Sequence, residues 1–139
     1  SQDMLEVLKT TACLQKVGSL DAQALLPADV LEMAWRGGAA AMRLPGQIGR
    51  LAPGALADIV LVNLARPHTS PVHAAASAVV YNANGNDVDT VVVGGQVLVR
   101  GGKTVLIDEA RLVADCQAAA DALIRRAGIR VAAAEAPVV

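Results

Sequence analysis

The chain is 139 residues long, the size of one ordinary domain, and carries 12 Lys and Arg against 13 Asp and Glu for a formal net charge of -1. That balance excludes an electrostatically driven nucleic-acid binder, which needs a clustered basic excess. Aromatic residues at 1% (Trp35, Tyr81 and no Phe) exclude a base-stacking platform, while 54% hydrophobic residues suffice for a core packed largely through 28 alanines. Two cysteines, Cys13 and Cys116, are too few for a disulfide framework and lack CxxC spacing, so a reduced, cytoplasmic protein is expected. The most apolar stretches, Ile59–Leu64 and Val88–Val93, are six residues long. A bilayer span needs about 20. Gln2, Asp3 and Glu6 do not make a signal peptide. The chain opens at Ser1, already in a helical pattern, which fits either an engineered start or a piece of something longer.

Gln2 to Val17 reads as an amphipathic helix. Met4, Leu8 and Ala12 recur at i, i+4 and i+8 with Leu5 and Cys13 beside them, and Glu6, Lys9 and Lys16 take the other side. Ser1 is the expected N-cap, Asp3 suits the positive helix end, and Gly18-Ser19 is the expected stop. A second helix is expected from Pro27, with Asp29 and Glu32 behind it and Val30, Leu31, Ala34 and Met42 on its buried side. Gly37-Gly38 interrupts it at about 1 kcal/mol per glycine relative to Ala, which predicts another backbone packed close by. Pro45-Gly46 ends it.

From Gly46 the period changes. Ala57–Leu64, Val88–Gly94 and Gln96–Arg100 read as strands, with Gly94-Gly95 as a two-residue hairpin turn between the last two. Gly101-Gly102 then turns the chain into a short Thr104–Leu106 strand. Val72–Tyr81 is too rich in alanine for a strand and reads as a short helix. Asp108 is placed to cap a last helix running to about Ala127, with Leu112, Cys116, Ala119 and Leu123 on its buried face, Arg125 and Arg126 in its last turn and Gly128 as its stop. Val131 to Val139 lacks periodicity and reads as a mobile tail. Two leading helices with no strands of their own look like the end of a larger helical layer.

The chemistry-bearing residues are sparse. His68 and His73 stand five apart in the Pro-bearing loop Arg66–His73 without HxH, HExxH or a carboxylate at ligand spacing, so they read as loop histidines bonded to backbone or meeting solvent. Metal binding by the pair and contact with another subunit are the alternatives. Cys13 and Cys116 read as buried, inert thiols. No GxSxG, P-loop or GxGxxG pattern occurs. Asp58, opening an apolar strand after a Gly/Pro turn, reads as a turn-fixing acceptor of backbone N–H groups rather than a catalytic acid. Asp87 and Asp89 read as polar positions of an alternating strand entry. No catalytic or metal-binding residue is assigned.

The stretch from Gly46 through Gly49, Leu51, Pro53-Gly54 and Ala57-Asp58 to Leu61 (GQIGRLAPGALADIVL) resembles the G-x-I-G-x-L-x-P-G-x-x-A-D segment of the amidohydrolase superfamily. Arg66-Pro67-His68, Pro71-Val72-His73, Val79-Val80-Tyr81 and Gly85–Val91 follow in register and are similar to its aminohydrolase branch, that of the s-triazine hydrolases and the methylthioadenosine/S-adenosylhomocysteine deaminases. Ala74 stands where that branch often has Asp, and Val93-Gly94-Gly95 where it often has Val-Asp-Gly.

The resemblance implies an α/β fold. Residues 1–45 would be the last helices of a (β/α)8 barrel and 46–106 part of a composite β-sandwich. Residues 107–128 would be a C-terminal helix and 129–139 a flexible tail. Gly49, Pro53, Gly54 and Asp58 would shape the structural turn into the sandwich. It further implies a metal-dependent hydrolase of C–N or C–halide bonds in aminated heterocycles. Its metal, zinc or iron, would be held by residues preceding the point that matches Ser1, so this segment is expected to bind none. The expected partners are the N-terminal remainder of the same enzyme, a small heterocyclic substrate and further copies in a homo-oligomer, with no nucleic acid and no membrane. A non-catalytic, self-associating small domain is the alternative.

Overall fold

The structure, a computed structural model, describes residues 2–129. Its contacts divide the chain into two units, Ser1–Val105 and Leu106–Val139. No helix among the described residues is long and apolar enough to cross a membrane.

In the first unit, helix α1 (Met4–Ser19) starts where the Asp3 Oδ1 accepts a hydrogen bond from the Leu5 N–H at 2.9 Å. Ser1 lies outside the described residues; the cap is Asp3. The helix ends at Ser19, in the Gly18-Ser19 pair expected to stop it, and Leu20 caps it in the left-handed conformation (φ 53°) while its N–H reaches the Lys16 and Val17 carbonyls. Leu8 and Ala12 are buried and Leu5 packs beside them, but Met4 and Cys13 are exposed. The packed stripe is narrower than the sequence suggests because α1 is touched along a single ridge.

Helix α2 (Pro27–Glu32) places Pro27 in its first turn, where a missing N–H costs nothing, and Asp29 accepts from the Leu26 N–H at 3.1 Å. The right-handed backbone continues through a π turn, Met33–Gly37, into α3 (Gly38–Ala41). The wider turn rotates the following residues about the axis, so Val30 is buried while Met42, read as its facial partner, is 67% exposed. A Cβ added at Gly37 or Gly38 would meet nothing within 4 Å, so the close backbone contact expected there is absent. It occurs instead at Gly49, described below.

Four antiparallel strands form a meander in the order β1 (Ile59–Val62), β2 (Val88–Val93), β3 (Gln96–Arg100) and β4 (Lys103–Thr104). Val60 lies opposite Val91, and Val91 opposite Val99. Gly94 and Gly95 both have positive φ, the requirement of the two-residue turn joining β2 to β3. Gly101-Gly102 repeats the device, pairing Arg100 with Lys103. That tight turn forces β4 to begin at Lys103, one residue earlier than the sequence pattern places it. Between β1 and β2 lie α4 (Ala75–Ser77), a π turn (Ala78–Asn82) and a 3-10 turn (Gly85–Asp87). Val80 of the π turn closes the core with Leu8, Ala12 and Val30; Leu25, Leu31, Ala34 and Tyr81 pack around them.

The second unit holds α5 (Glu109–Ala127), capped by Asp108 through the Arg111 N–H (3.0 Å) and ended by Gly128 in the left-handed conformation. Helix α5 contains no buried residue: Leu112, Cys116, Ala119 and Leu123, read from sequence as its buried face, are exposed. The expected tail, Val131–Val139, lies outside the described residues.

Candidate functional site

The best-connected polar cluster lies in the loops between β1 and β2. Thr69 is fully buried; its hydroxyl donates to the Leu64 carbonyl (2.6 Å) and accepts from the Arg66 N–H (3.2 Å), folding the loop around itself. That fold carries His68 to Asp87, whose Oδ2 accepts from the His68 Nε2 at 2.8 Å and from the Asn84 N–H at 3.0 Å. A carboxylate offers no proton, so the His68 Nε2 bears the hydrogen. Asp87 is 2% exposed, and burial alone would push its carboxyl upward. The hydrogen bonds from His68 and Asn84, with the charges of His68 and Arg66, outweigh that and hold it below its ordinary value. Next to it the Gly85 N–H donates to the Asp3 Oδ2 at 2.7 Å, so the residue that caps α1 also grips a loop 82 positions away.

Asp87 is therefore not a polar position of a strand entry. It closes a 3-10 turn and anchors the histidine loop. The reciprocal Asn84-x-x-Asp87 pattern, an N-terminal box in miniature, is the signal that sequence reading could have used. His73, exposed, does not join His68 at this carboxylate, and Cys13 and Cys116 are exposed rather than buried. The cluster has an oriented imidazole but no nucleophile within it, because the Thr69 hydroxyl is committed to backbone. Its chemistry is that of a loop anchor.

The Gly46–Asp58 stretch is the other organised region. Gly46, Gly49 and Gly54 all have positive φ (77°, 74° and 84°), and the Ala55 N–H bonds to the Ala52 carbonyl (3.1 Å) across the Pro53-Gly54 turn. Gly49 lies directly on the π turn: a Cβ there would stand 2.9 Å from the Trp35 carbonyl carbon, closer still to its oxygen, and 3.1 Å from the Ala39 Cβ. Asp58 reaches beyond its own turn, its Oδ1 accepting from the Gly94 N–H at 2.7 Å, while the Gly95 N–H bonds to the Ala57 carbonyl at 3.1 Å. The segment thus fastens the helical layer at one end and the β2–β3 hairpin at the other. A shallow hollow beside it is lined by Arg36, Arg50, Pro45 and Ile48.

A helical layer joined through a glycine-rich hinge to an antiparallel sheet fits a portion of an α/β hydrolase architecture. The chain belongs to the amidohydrolase family, whose model matches residues 1–98. A 5'-deoxyadenosine deaminase of Methanothermobacter thermautotrophicus is 42% identical over 118 residues, which are 85% of this chain and 27% of that protein. A 5-methylthioadenosine/S-adenosylhomocysteine deaminase of Pelotomaculum thermopropionicum is 39% identical over 89% of this chain and 28% of its own length. Among solved structures, a zinc-bound adenosine deaminase from Xanthomonas campestris superposes with a TM-score of 0.82 at 33% identity, covering 85% of this chain and 27% of that one. A zinc complex of atrazine chlorohydrolase from Arthrobacter aurescens TC1 gives 0.75 at 31% identity, over 82% of this chain and 25% of that one. The chain spans little more than a quarter of the length of the curated relatives it matches.

Both of these neighbours carry zinc. In this chain no three His, Cys, Asp or Glu side chains converge to hold a metal ion among the described residues. His68 meets a single, buried carboxylate, and that meeting is a hydrogen bond. Among the described residues, the donors that meet do not make up a zinc site.

Proposed function

We propose that this chain is the C-terminal structural part of a metal-dependent hydrolase acting on C–N bonds of aminated heterocycles, in a deaminase or aminohydrolase reaction. In this reading α1, α2 and α3 are the last helices of a (β/α)8 barrel. Residues 46–106 are part of the composite β-sandwich, and α5 is its terminal helix. Gly49, Pro53, Gly54 and Asp58 form the turn that holds the barrel helices and the sandwich at a fixed angle. The metal, zinc or iron, and the groups that touch substrate belong to the N-terminal remainder of the enzyme, and no step of the reaction is assigned to residues of this chain.

The observation that carries the reading is a pairing of facts. Identity near 40% to deaminases extends over more than four fifths of the chain, yet the described residues bring no metal-holding group together. The surface supports it. Met4, Leu14 and Val17 of α1 and Val60 and Leu61 of β1 are exposed apolar residues on elements whose other faces are packed, which suits surfaces made to be covered by more of the same fold. Both cysteines are free, which suits a reducing cytoplasm.

The test is a chimera in which this chain replaces the matching quarter of the Methanothermobacter deaminase. A folded, zinc-loaded chimera that releases ammonia from 5'-deoxyadenosine supports the reading; a folded, zinc-loaded chimera without activity counts against it. Stoichiometric zinc together with ammonia release by the 139-residue chain alone would overturn it.

A further inference from the structure

We propose that Asn84-Gly85 is a latent modification site, able to lose the Asn84 carboxamide nitrogen as ammonia, and that Asp3 guards it. The site lies within the first unit and does not depend on the hydrolase reading. In an unrestrained chain an Asn-Gly pair is labile, because glycine has no Cβ to keep its nitrogen off the preceding carboxamide. The Gly85 nitrogen gives its proton to solvent and attacks the Asn84 Cγ. A new C–N bond forms, the old one breaks, and the side-chain nitrogen leaves as ammonia. Water then opens the cyclic imide to an aspartyl or isoaspartyl residue. One water is consumed and one ammonia released, with no oxidant and no cofactor. Asn63, Asn82 and Asn86 precede Leu64, Ala83 and Asp87, which all carry a Cβ, and serve as internal comparisons.

Both reacting groups are held apart. The proton that the nucleophile must lose is donated to the Asp3 Oδ2 at 2.7 Å. Ionising that nitrogen would set a negative atom against a carboxylate, and like charges oppose it. Asp3 is fixed from its other side, where Oδ1 accepts from the Leu5 N–H at 2.9 Å. The electrophile is pinned as well: the Asn84 Oδ1 accepts from the Asn86 N–H at 3.0 Å, and the Asn84 N–H donates to the buried Asp87 at 3.0 Å. Asn84 is extended (φ -140°, ψ 176°), so closing the imide ring requires a rotation about its Cα–C bond that pulls the Gly85 N–H off Asp3. The guard itself demands the glycine. A Cβ at Gly85 would stand 3.0 Å from the Asp3 Oδ2 and 3.3 Å from its Cγ, so any side chain there would push the carboxylate back. One close contact thus makes the sequence labile and keeps it intact. Gly85 is exposed, so solvent base reaches it once the joint opens. The change then runs one way, since the product adds a negative charge beside Asp3 and Asp87 that keeps the joint from closing again.

The experiment incubates the full 139-residue chain in mildly alkaline buffer and follows each asparagine by peptide mass mapping, with isoaspartyl methyltransferase labelling for the isomer. The folded chain is expected to lose the Asn84 carboxamide about tenfold more slowly than the same chain unfolded in urea. Asp3→Ala is expected to raise the folded rate about tenfold, the equivalent of one lost charge-assisted hydrogen bond. Asp3→Ser keeps an N-cap for α1 but offers one neutral oxygen where Asp3 uses two charged ones, so it is expected to speed the loss with α1 intact. Gly54→Ala, which weakens the chain at the hinge, is expected to leave the rate unchanged. Equal rates in the folded and unfolded chain would overturn the proposal, as would Asp3 variants no faster than the unaltered chain, or slower, the result if Asp3 were the base. Acceleration by Gly54→Ala equal to that by Asp3→Ala would assign the effect to global unfolding and overturn it too. So would faster loss at Asn63, Asn82 or Asn86 than at Asn84 in the Asp3 variants.

Discussion

Gly49→Ala is the most informative single change in the hinge, because two separate penalties meet there and a neighbour isolates one of them. Gly54 has nearly the same backbone conformation (φ 84° against 74°), but a Cβ added to it meets nothing within 4 Å. Gly54→Ala therefore feels only the cost of a left-handed conformation, about 1–2 kcal/mol, reduced by the stiffer unfolded chain to about 1 kcal/mol. At Gly49 the same methyl would press against the Trp35 carbonyl, a backbone group that cannot swing aside, and against the Ala39 Cβ at 3.1 Å. Overpacking of that kind adds about 1–3 kcal/mol, so Gly49→Ala is expected to cost about 2–4 kcal/mol. At roughly 4 °C per kcal/mol for a chain of this size, the two variants should melt some 4–12 °C apart. Thermal unfolding followed by far-ultraviolet circular dichroism reads the difference. Equal melting temperatures would refute the idea that the hinge is held by backbone contact with the π turn.

Three further outcomes follow from the hydrogen bonds and caps. Asp87 has a folded pKa below its ordinary 3.8, so the stability it supplies is complete above that value and disappears as the pH falls through the depressed one. Asp87→Asn should flatten this acid limb in urea titrations made between neutral pH and about pH 2, and Asp87→Ala, which strands the Asn84 N–H, should cost about 1–3 kcal/mol at neutral pH. Asp3→Ala removes both the α1 cap and the acceptor of the Gly85 N–H; a loss of about 1–2 kcal/mol is expected, with faster amide exchange at Leu5 and Gly85 together rather than at Leu5 alone. Leu20→Gly should stabilise the chain by up to about 1 kcal/mol, since Leu20 is 93% exposed and holds a left-handed cap that glycine adopts without strain.

What the sequence disclosed and what it hid divide along a physical line. Features set by neighbours in the chain were legible. The Pro27 start, the Gly94-Gly95 hairpin, the bounds of β3 and the Asp108–Gly128 caps of α5 all depend on a few adjacent residues. Features set by distant partners were not. Nothing near Asp58 announces Gly94, nothing near Asp3 announces Gly85, and His68 finds Asp87 nineteen residues on only because Thr69 folds the intervening loop. Gly37-Gly38 shows the limit from the other side. A glycine pair inside a helix suggests a close neighbour, yet the neighbour sits on Trp35 and Ala39 and the glycine that makes room for it is Gly49. Propensity tells where small residues are tolerated; only packing tells which backbone needs them.

The apolar residues carry that lesson into function. Among the described residues the fully buried apolar set is small and dominated by alanine and valine. Leu8, Val30 and Val80 fasten α1, α2 and the π turn of residues 78–82 to one another. They do not cover Val60 and Leu61 on opposite faces of β1, or the α1 residues turned away from the core. The hydrogen-bonded joints (Asp3 to Gly85, Asp58 to Gly94, His68 to Asp87) are therefore finished while the apolar surfaces around them are open. Joints that are complete while the apolar faces around them stay open fit the role proposed above, of a part that holds other residues in place, and the match covers 27% of the Methanothermobacter deaminase.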